Sequence, residues 1–231
     1  MKSQKIVVLS GAGISAESGI RTFRAADGLW EDHRVEDVAS PAGFARNPDL
    51  VQHFYNLRRA QLDTVEPNAG HRILAELERD HEVAIVTQNV DDLHERAGSS
   101  RVVHLHGELR KVRPVDGRGP AVVHHGDLRT GDTDARGVQL RPDIVWFGED
   151  VPRLAVAAEL VSRAEVVIIV GTSMQVYPAA GLVGFAPPEA VIYYVDPNPT
   201  INYELAQRGI RLVRKGGSAG LAEVRTQLGA G

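Results

Sequence analysis

Five short apolar runs punctuate the chain: Lys5–Leu9, Glu82–Thr87, Arg101–Leu105, Glu165–Val170 and Val191–Val195. Each is rich in Val and Ile, and apolar rather than alternating, as expected of a strand buried on both faces. Helical patterns separate most of them, over Asn47–Asp63, Asn68–Arg79, Asp91–Ala97, Pro152–Arg163 and Pro199–Arg208. Strands alternating with helices predict an α/β fold: a parallel sheet with helices on both faces. Two stretches break the rhythm. Residues 25–63 hold loop and helix without a convincing strand, and residues 108–140 are polar and turn-rich, with DGRGP and TGDTDARG. Both are predicted to be insertions into a core made of 1–24, 64–107 and 141–231. In HFYNLRRAQL the helical phase predicts Phe54, Leu57 and Leu62 inward, with Arg58, Arg59 and Gln61 toward water. Tyr55 and Arg58 lie three apart, so they share a helix face.

Composition narrows the function classes. The 231 residues are 43% hydrophobic and 24% charged, which suits a globular chain and excludes wholesale disorder. With 26 basic against 30 acidic residues the net charge is -4, and no basic footprint points to nucleic acid. No apolar run reaches membrane-span length. The N-terminal MKSQKIVVLSGAG flows into a glycine loop and is predicted as a first strand rather than a signal peptide. The absence of cysteine excludes disulfides, thiol nucleophiles and thiolate zinc sites, and fits a cytoplasmic setting. No coiled-coil pattern is visible, and a monomer is expected.

The strand ends carry the candidate chemistry. After the first strand, Gly11, Gly13 and Ala16 satisfy the relaxed G-x-G-x-x-G/A pattern, which permits a tight turn and close approach to a pyrophosphate at a helix start. About 20 residues on, where a dehydrogenase carries a ribose-binding acid, the chain reads RTFRAADGLWED, so a standard dehydrogenase mode is disfavoured. The second strand ends in Thr87-Gln88-Asn89 with Asp91 following; the same residue types also suit helix capping. In RVVHLHGEL, strand alternation puts His104 and His106 on one side, with His106 at the strand end as a general-base candidate. Gly171-Thr172-Ser173 form a second small-residue loop, and Asp196 and Asn198 close the last strand.

GAGISAESGIRTFR, TQNVDDLH, VVHLHGE, VWFGE and GTSMQVYPAA, in this order and spacing, resemble the sirtuins, the NAD-dependent protein-lysine deacylases. The resemblance runs from about Lys5 to the C-terminus. It implies a Rossmann-like NAD domain, a small domain built from the two insertions, and a cleft between them where NAD and an acyl-lysine peptide meet. By motif, Gly11, Ala12, Gly13, Ala16, Glu17, Phe23 and Arg24 would line the NAD pocket. Gln88, Asn89 and Asp91 would hold the nicotinamide end, Gly171, Thr172 and Ser173 phosphate and ribose, and Asp196, Pro197, Asn198 and Gly217 the adenosine end. His106 would be the base, with Asn89 and Asp91 beside it in catalysis. The peptide would add as a strand between Val145, Phe147, Gly148 and Glu149 on one side and Met174, Val176 and Tyr177 on the other. The implied reaction moves the acyl group onto NAD-derived ribose, releasing nicotinamide, lysine and O-acyl-ADP-ribose.

Tyr55-x-x-Arg58 resembles the pair of the sirtuin class that removes succinyl, malonyl and glutaryl groups, and Ala26 fits the same class by leaving room for a longer chain. A guanidinium and a phenol suit a distal carboxylate. Arg59, adjacent and turned about 100° away, is expected to be a bystander. Most sirtuins carry four zinc cysteines after the HG segment; here there are none, and His124, His125, Asp127 and Asp132 lack metal-site spacing, so no zinc is expected. The competing readings are a protein ADP-ribosyltransferase and a non-catalytic NAD or ADP-ribose sensor.

Overall fold

The computed structural model describes residues 3–21, 29–30 and 32–229. In chain order the strands are β1 (Lys5–Ser10), β2 (Leu29–Trp30), β3 (His33–Arg34), β4 (Glu82–Thr87), β5 (Val102–His104), β6 (Gly107–Pro114), β7 (Val122–Val123), β8 (Leu140–Ile144), β9 (Val166–Val170), β10 (Val191–Val195) and β11 (Ile210–Val213). The helices are α1 (Val35–Val38), α2 (Pro41–Arg46), α3 (Pro48–Gln61), α4 (Ala69–Leu77), α5 (Leu93–Arg96), α6 (Leu154–Val161), α7 (Tyr203–Ala206) and α8 (Gly217–Gly229). No helix among the described residues is long and apolar enough to cross a membrane.

Six strands form a parallel sheet in the order β11-β10-β9-β1-β4-β5. Successive side chains leave opposite faces, and both faces are covered. Val7 and Leu9 pack with Val167, Ile169, α6 and residues 179–185 on one side; Ile6 and Val8 pack with Ile168, α4 and α8 on the other. Burying each such Val or Ile side chain contributes roughly 1.5–3 kcal/mol. Helix α4 is started by a capping box in which Asn68 and His71 satisfy each other's backbone N–H groups.

A third apolar cluster joins α1 and α3 to the antiparallel sheet β7-β6-β8 through Val38, Val51, Phe54, Tyr55, Leu109, Ile144 and Trp146. Strand β6 lies inside the stretch that looked merely turn-rich, and β8 pairs with it rather than with the large sheet. β6 alternates charged and apolar residues, so its strand character shows only once β8 pairs with it. The short β2-β3 pairing was likewise not foreseen. Strand β11 and helix α8 were also missed. Strand β11 is a sheet edge with two exposed residues, and so lacks the continuous apolar run of its neighbours. The helix expected over Pro199–Arg208 shrinks to α7, because its Asn202 cap starts it late.

Chain order reverses between β1 and β9, making a topological switch point at which ligands of open α/β sheets collect. The loops after these two strands interlock. Gly11 N–H donates to the Val170 carbonyl at 3.1 Å, and Gly13 N–H to the Gly171 carbonyl at 2.8 Å. Gly171 has φ +62°, and a Cβ on Gly13 would lie 2.6 Å from the Gly171 Cα. Residues 12–18 form two short 3-10 turns after β1, so the expected helix start facing an anion is replaced by a glycine-to-glycine contact. Gly171→Ala is expected to cost about 2 kcal/mol or more from the left-handed backbone alone, read as a lower midpoint in chemical denaturation.

Candidate active site

The carboxyl ends of β1, β4 and β9, together with α3 and the segment after β8, enclose a cleft of about 450 Å³. It brings together Gly11, Ala12 and Gly13, Gln88, Asn89 and Asp91, His106, Val145 to Glu149, Gly171, Thr172 and Ser173, Val176, Tyr177 and Asp196. Tyr55 and Arg58 line the same space.

His106 sits between β5 and β6 with Nδ1 3.2 Å from the Gln88 carbonyl. A carbonyl only accepts, so Nδ1 carries the proton and Nε2 keeps its lone pair. Burial pushes the imidazole below the usual histidine value, against the Gln88 bond, so it is neutral at pH 7. Strand β5 ends at His104, and the alternation predicted to put His104 beside His106 does not continue. His104 does not line the cleft; it is buried with Nδ1 3.0 Å from the Asn89 carbonyl and Nε2 2.7 Å from Glu95. Burial opposes a charge on His104, but the Glu95 carboxylate outweighs it and raises the ring above the usual value.

Beneath the cleft lies a polar knot that the sequence reading overlooked apart from Asn89 and Asp91. Ser15 Oγ donates to Asp91 Oδ2 at 2.9 Å and accepts from Asn89 Nδ2 at 3.1 Å. His71 Nδ1 accepts the Asn68 N–H, which leaves Nε2–H to donate to Ser15 Oγ at 3.4 Å. His94 stacks edge-on against His71 and shares a 3.0 Å bond with Ser10 Oγ. Asp91 is raised above the usual carboxylate value by burial, with the Leu93 N–H and Ser15 O–H pulling the other way. The GAGIS serine and the helix-capping histidine were readable as polar residues in apolar surroundings, but their convergence was not.

On α3, Tyr55 is fully buried and its hydroxyl accepts from Trp146 Nε1 at 3.1 Å. Arg58 is half-buried, donates to the Phe54 carbonyl at 2.6 Å and stacks on the Phe54 ring. The expected phase of this helix is wrong at two positions. Leu57 is 55% exposed, whereas Arg59 is 2% exposed. Arg59 donates to the carbonyls of Leu109 at 2.8 Å and Gly126 at 3.3 Å and to Asn56 Oδ1 at 2.7 Å, so it is a structural clip rather than a bystander. Its bonds repay the burial of a charge that the helical pattern alone would leave in water.

Other expected site residues lie elsewhere. Ala16 and Glu17 are off the cleft wall; Glu17 accepts the Ser218 N–H at the start of α8, beside the buried Gly217. Met174 is packed in the core, and Pro197 and Asn198 are exposed and off the wall. Glu149 reaches the cleft, but its carboxylate is bound by Arg141 at 2.6 and 3.0 Å and by the Trp146 N–H at 2.8 Å. Phe23, Arg24 and Ala26 lie outside the described residues.

The Sir2 family model matches residues 11–178. The chain belongs to the Sir2 family, the sirtuins. A Bacteroides thetaiotaomicron NAD-dependent protein deacylase is 50% identical over 97% of this chain and 98% of its own length. A Helicobacter pylori NAD-dependent protein deacylase is 59% identical over 84% of this chain and 85% of its own. Among solved structures, a Sir2 homologue mutant in complex with ADP ribose superposes with a TM-score of 0.85 at 38% identity, covering 99% of this chain and 95% of that one. A Sir2 complex with a p53 peptide and NAD+ superposes at 0.80 with 28% identity, covering 99% and 95%.

This sirtuin cannot build a thiolate zinc site, having no cysteine. Among the described residues no three His, Asp or Glu side chains converge on a metal position. In the polar stretch between β6 and β8, the Arg136 guanidinium binds Asp116 at 2.9 Å, Asp134 at 2.6 Å and the Arg118 carbonyl at 2.6 Å. One arginine thereby joins the turn after β6 to the turn before β8.

The buried histidines of this sirtuin predict its acid limit. Burial holds His71 at about 4, from 6.5, and His94 well below its ordinary value. Between those limits the unfolded chain binds protons that the native state does not, so stability falls as pH drops from about 6.5 toward 4. At about 1.4 kcal/mol per unit, His71 alone accounts for roughly 3 kcal/mol of that loss. The Glu95–His104 pair has the opposite sign: its stabilisation is full below 6.5 and fades as pH rises through the raised value of His104. Melting temperature is expected to drop across that acid window, and His71→Gln to flatten the drop.

Proposed function

We propose that this sirtuin removes acidic acyl groups, succinyl and malonyl, from protein lysines in an NAD-dependent reaction, with acetyl as a further substrate. The observation that carries this reading is that Tyr55 and Arg58 share one cleft with His106. Support for NAD-dependent deacylation comes from relatives of 50% and 59% identity named NAD-dependent protein deacylases.

The residues of the cleft fit NAD: two interlocked glycine loops at a topological switch, the Thr172 and Ser173 hydroxyls, the Gln88 and Asn89 amides, and the Asp91 and Asp196 carboxylates. NAD supplies an electrophilic ribose carbon once nicotinamide leaves. Asn89 and Asp91, braced by Ser15, orient the ribose, and the neutral His106 takes a proton from a ribose hydroxyl at Nε2. The Arg58 side chain is pre-set by its stacking on Phe54, which lowers the ordering cost of gripping a carboxylate. The peptide adds as a strand between residues 145–149 and the backbone of 174–177. The catalytic unit reads as a core of 1–24, 64–107 and 141–231 with a small domain from 25–63 and 108–140. A monomer acting in the cytoplasm completes the reading.

Incubation with NAD and succinyl-, acetyl- and unmodified-lysine peptides, following peptide mass and nicotinamide release, tests the proposal. Label from NAD accumulating on protein instead of deacylated peptide would favour ADP-ribosyl transfer. His106→Ala is expected to abolish turnover and leave NAD binding measurable. The acid limb of kcat/KM should lie below the ordinary histidine value of about 6.5, because burial keeps His106 of the free enzyme neutral there. Arg58→Met is expected to cut desuccinylation about tenfold more than deacetylation, the size of one lost charge-assisted bond. Equal losses on both substrates reject the carboxylate clamp. Arg59→Met is expected to lower the unfolding midpoint, since it removes the bonds to Leu109, Gly126 and Asn56.

A further inference from the structure

Trp146 touches the acyl clamp without belonging to the Tyr-x-x-Arg pair. Its indole Nε1–H can only donate, so in the 3.1 Å bond to Tyr55 the phenol oxygen must accept. Tyr55 is completely buried, and its own hydroxyl proton has no acceptor among the described residues. A buried donor left without an acceptor is costly, and the cleft is the space Tyr55 lines.

We infer that Trp146 is a specificity-determining positioning residue: its indole N–H occupies one side of the Tyr55 oxygen and aims the Tyr55 O–H into the cleft, at the distal carboxylate of an acidic acyl-lysine. This rests on the acidic-acyl reading above. Two observations and the chemistry of the groups involved support it. The indole is held firmly, with the Arg141 guanidinium 3.2 Å over its ring and Arg141 itself gripped twice by Glu149, which also takes the Trp146 backbone N–H. Accepting one hydrogen bond polarises a hydroxyl and strengthens the one it donates. Burial keeps the phenol well above its usual value, so it stays a neutral donor and never a phenolate facing a carboxylate. An acetyl group has no distal acceptor, so the aim of this proton is irrelevant to it.

The test replaces the indole N–H and keeps the ring. Trp146→Phe, and Trp146 replaced by benzothienylalanine, which has sulfur where the N–H was, are compared with Tyr55→Phe, Arg58→Met and the parent protein. Each is assayed for KM and kcat on succinyl- and acetyl-lysine peptides with NAD, after thermal melts. The expected result is a rise in succinyl-peptide KM of about tenfold for both Trp146 replacements, at least fivefold larger than the change for acetyl peptide. The double variant Tyr55→Phe/Trp146→Phe is expected to be no worse on succinyl peptide than Tyr55→Phe alone. If the benzothienyl protein keeps the parent selectivity while Tyr55→Phe and Arg58→Met lose it, the inference is overturned and the clamp stands. If no variant, those two included, shifts selectivity, the clamp reading itself fails. Equal losses on both peptides with the benzothienyl side chain would assign Trp146 to packing and also overturn the inference.

Discussion

The contact between Gly13 and Gly171 governs the geometry of this molecule. Two adjacent parallel strands, β1 and β9, end side by side, and their loops meet backbone on backbone with no room for a side chain. That closeness brings the polar ends of three strands to one place. Ser15 follows one loop, Thr172 follows the other, and Gln88 Nε2 bridges to Thr172 Oγ1 at 3.0 Å from the third strand. The glycine pattern therefore works differently from its usual reading. Its close approach is made within the protein, and the cleft is shaped by that approach as much as by any ligand.

Helix α3 serves two masters by a shift of one residue. Tyr55 and Arg58 turn toward the cleft. Asn56 and Arg59, one position later on each count, turn toward the 124–129 loop, where Asn56 exchanges two 2.9 Å bonds with Leu128. Two i, i+3 pairs offset by about 100° thus fasten the helix on one flank while presenting a polar pair on the next. The rigidity of the presenting pair depends on the fastening pair.

How far the sequence could be read follows from the range of the interactions involved. The central strands were legible because burial on both faces leaves an unbroken apolar run, as in VVIIV of β9. The strand-end motifs were legible because small and polar residues recur there at fixed spacing. The misreadings share a cause. Arg59 satisfies its charge with carbonyls 50 and 67 positions away, and Trp146 meets Tyr55 across 91 positions. No local pattern encodes such partners, so a helical wheel sends Arg59 outward and Leu57 inward. Glu17 and Met174 carry the family's motif spelling, yet one is occupied with the α8 start and the other with the core.

The Arg136 clasp exchanges one kind of vulnerability for another. A zinc cross-link built on thiolates gives way to chelators and oxidants. A guanidinium held by two carboxylates at 2.6–2.9 Å, one of them half-buried, sits well inside the screening length of about 8 Å at physiological strength, so salt loosens it only in part. The link between the turns around residues 116 and 134 in this sirtuin is therefore made of charge and geometry alone, with no thiolate in it to be oxidised.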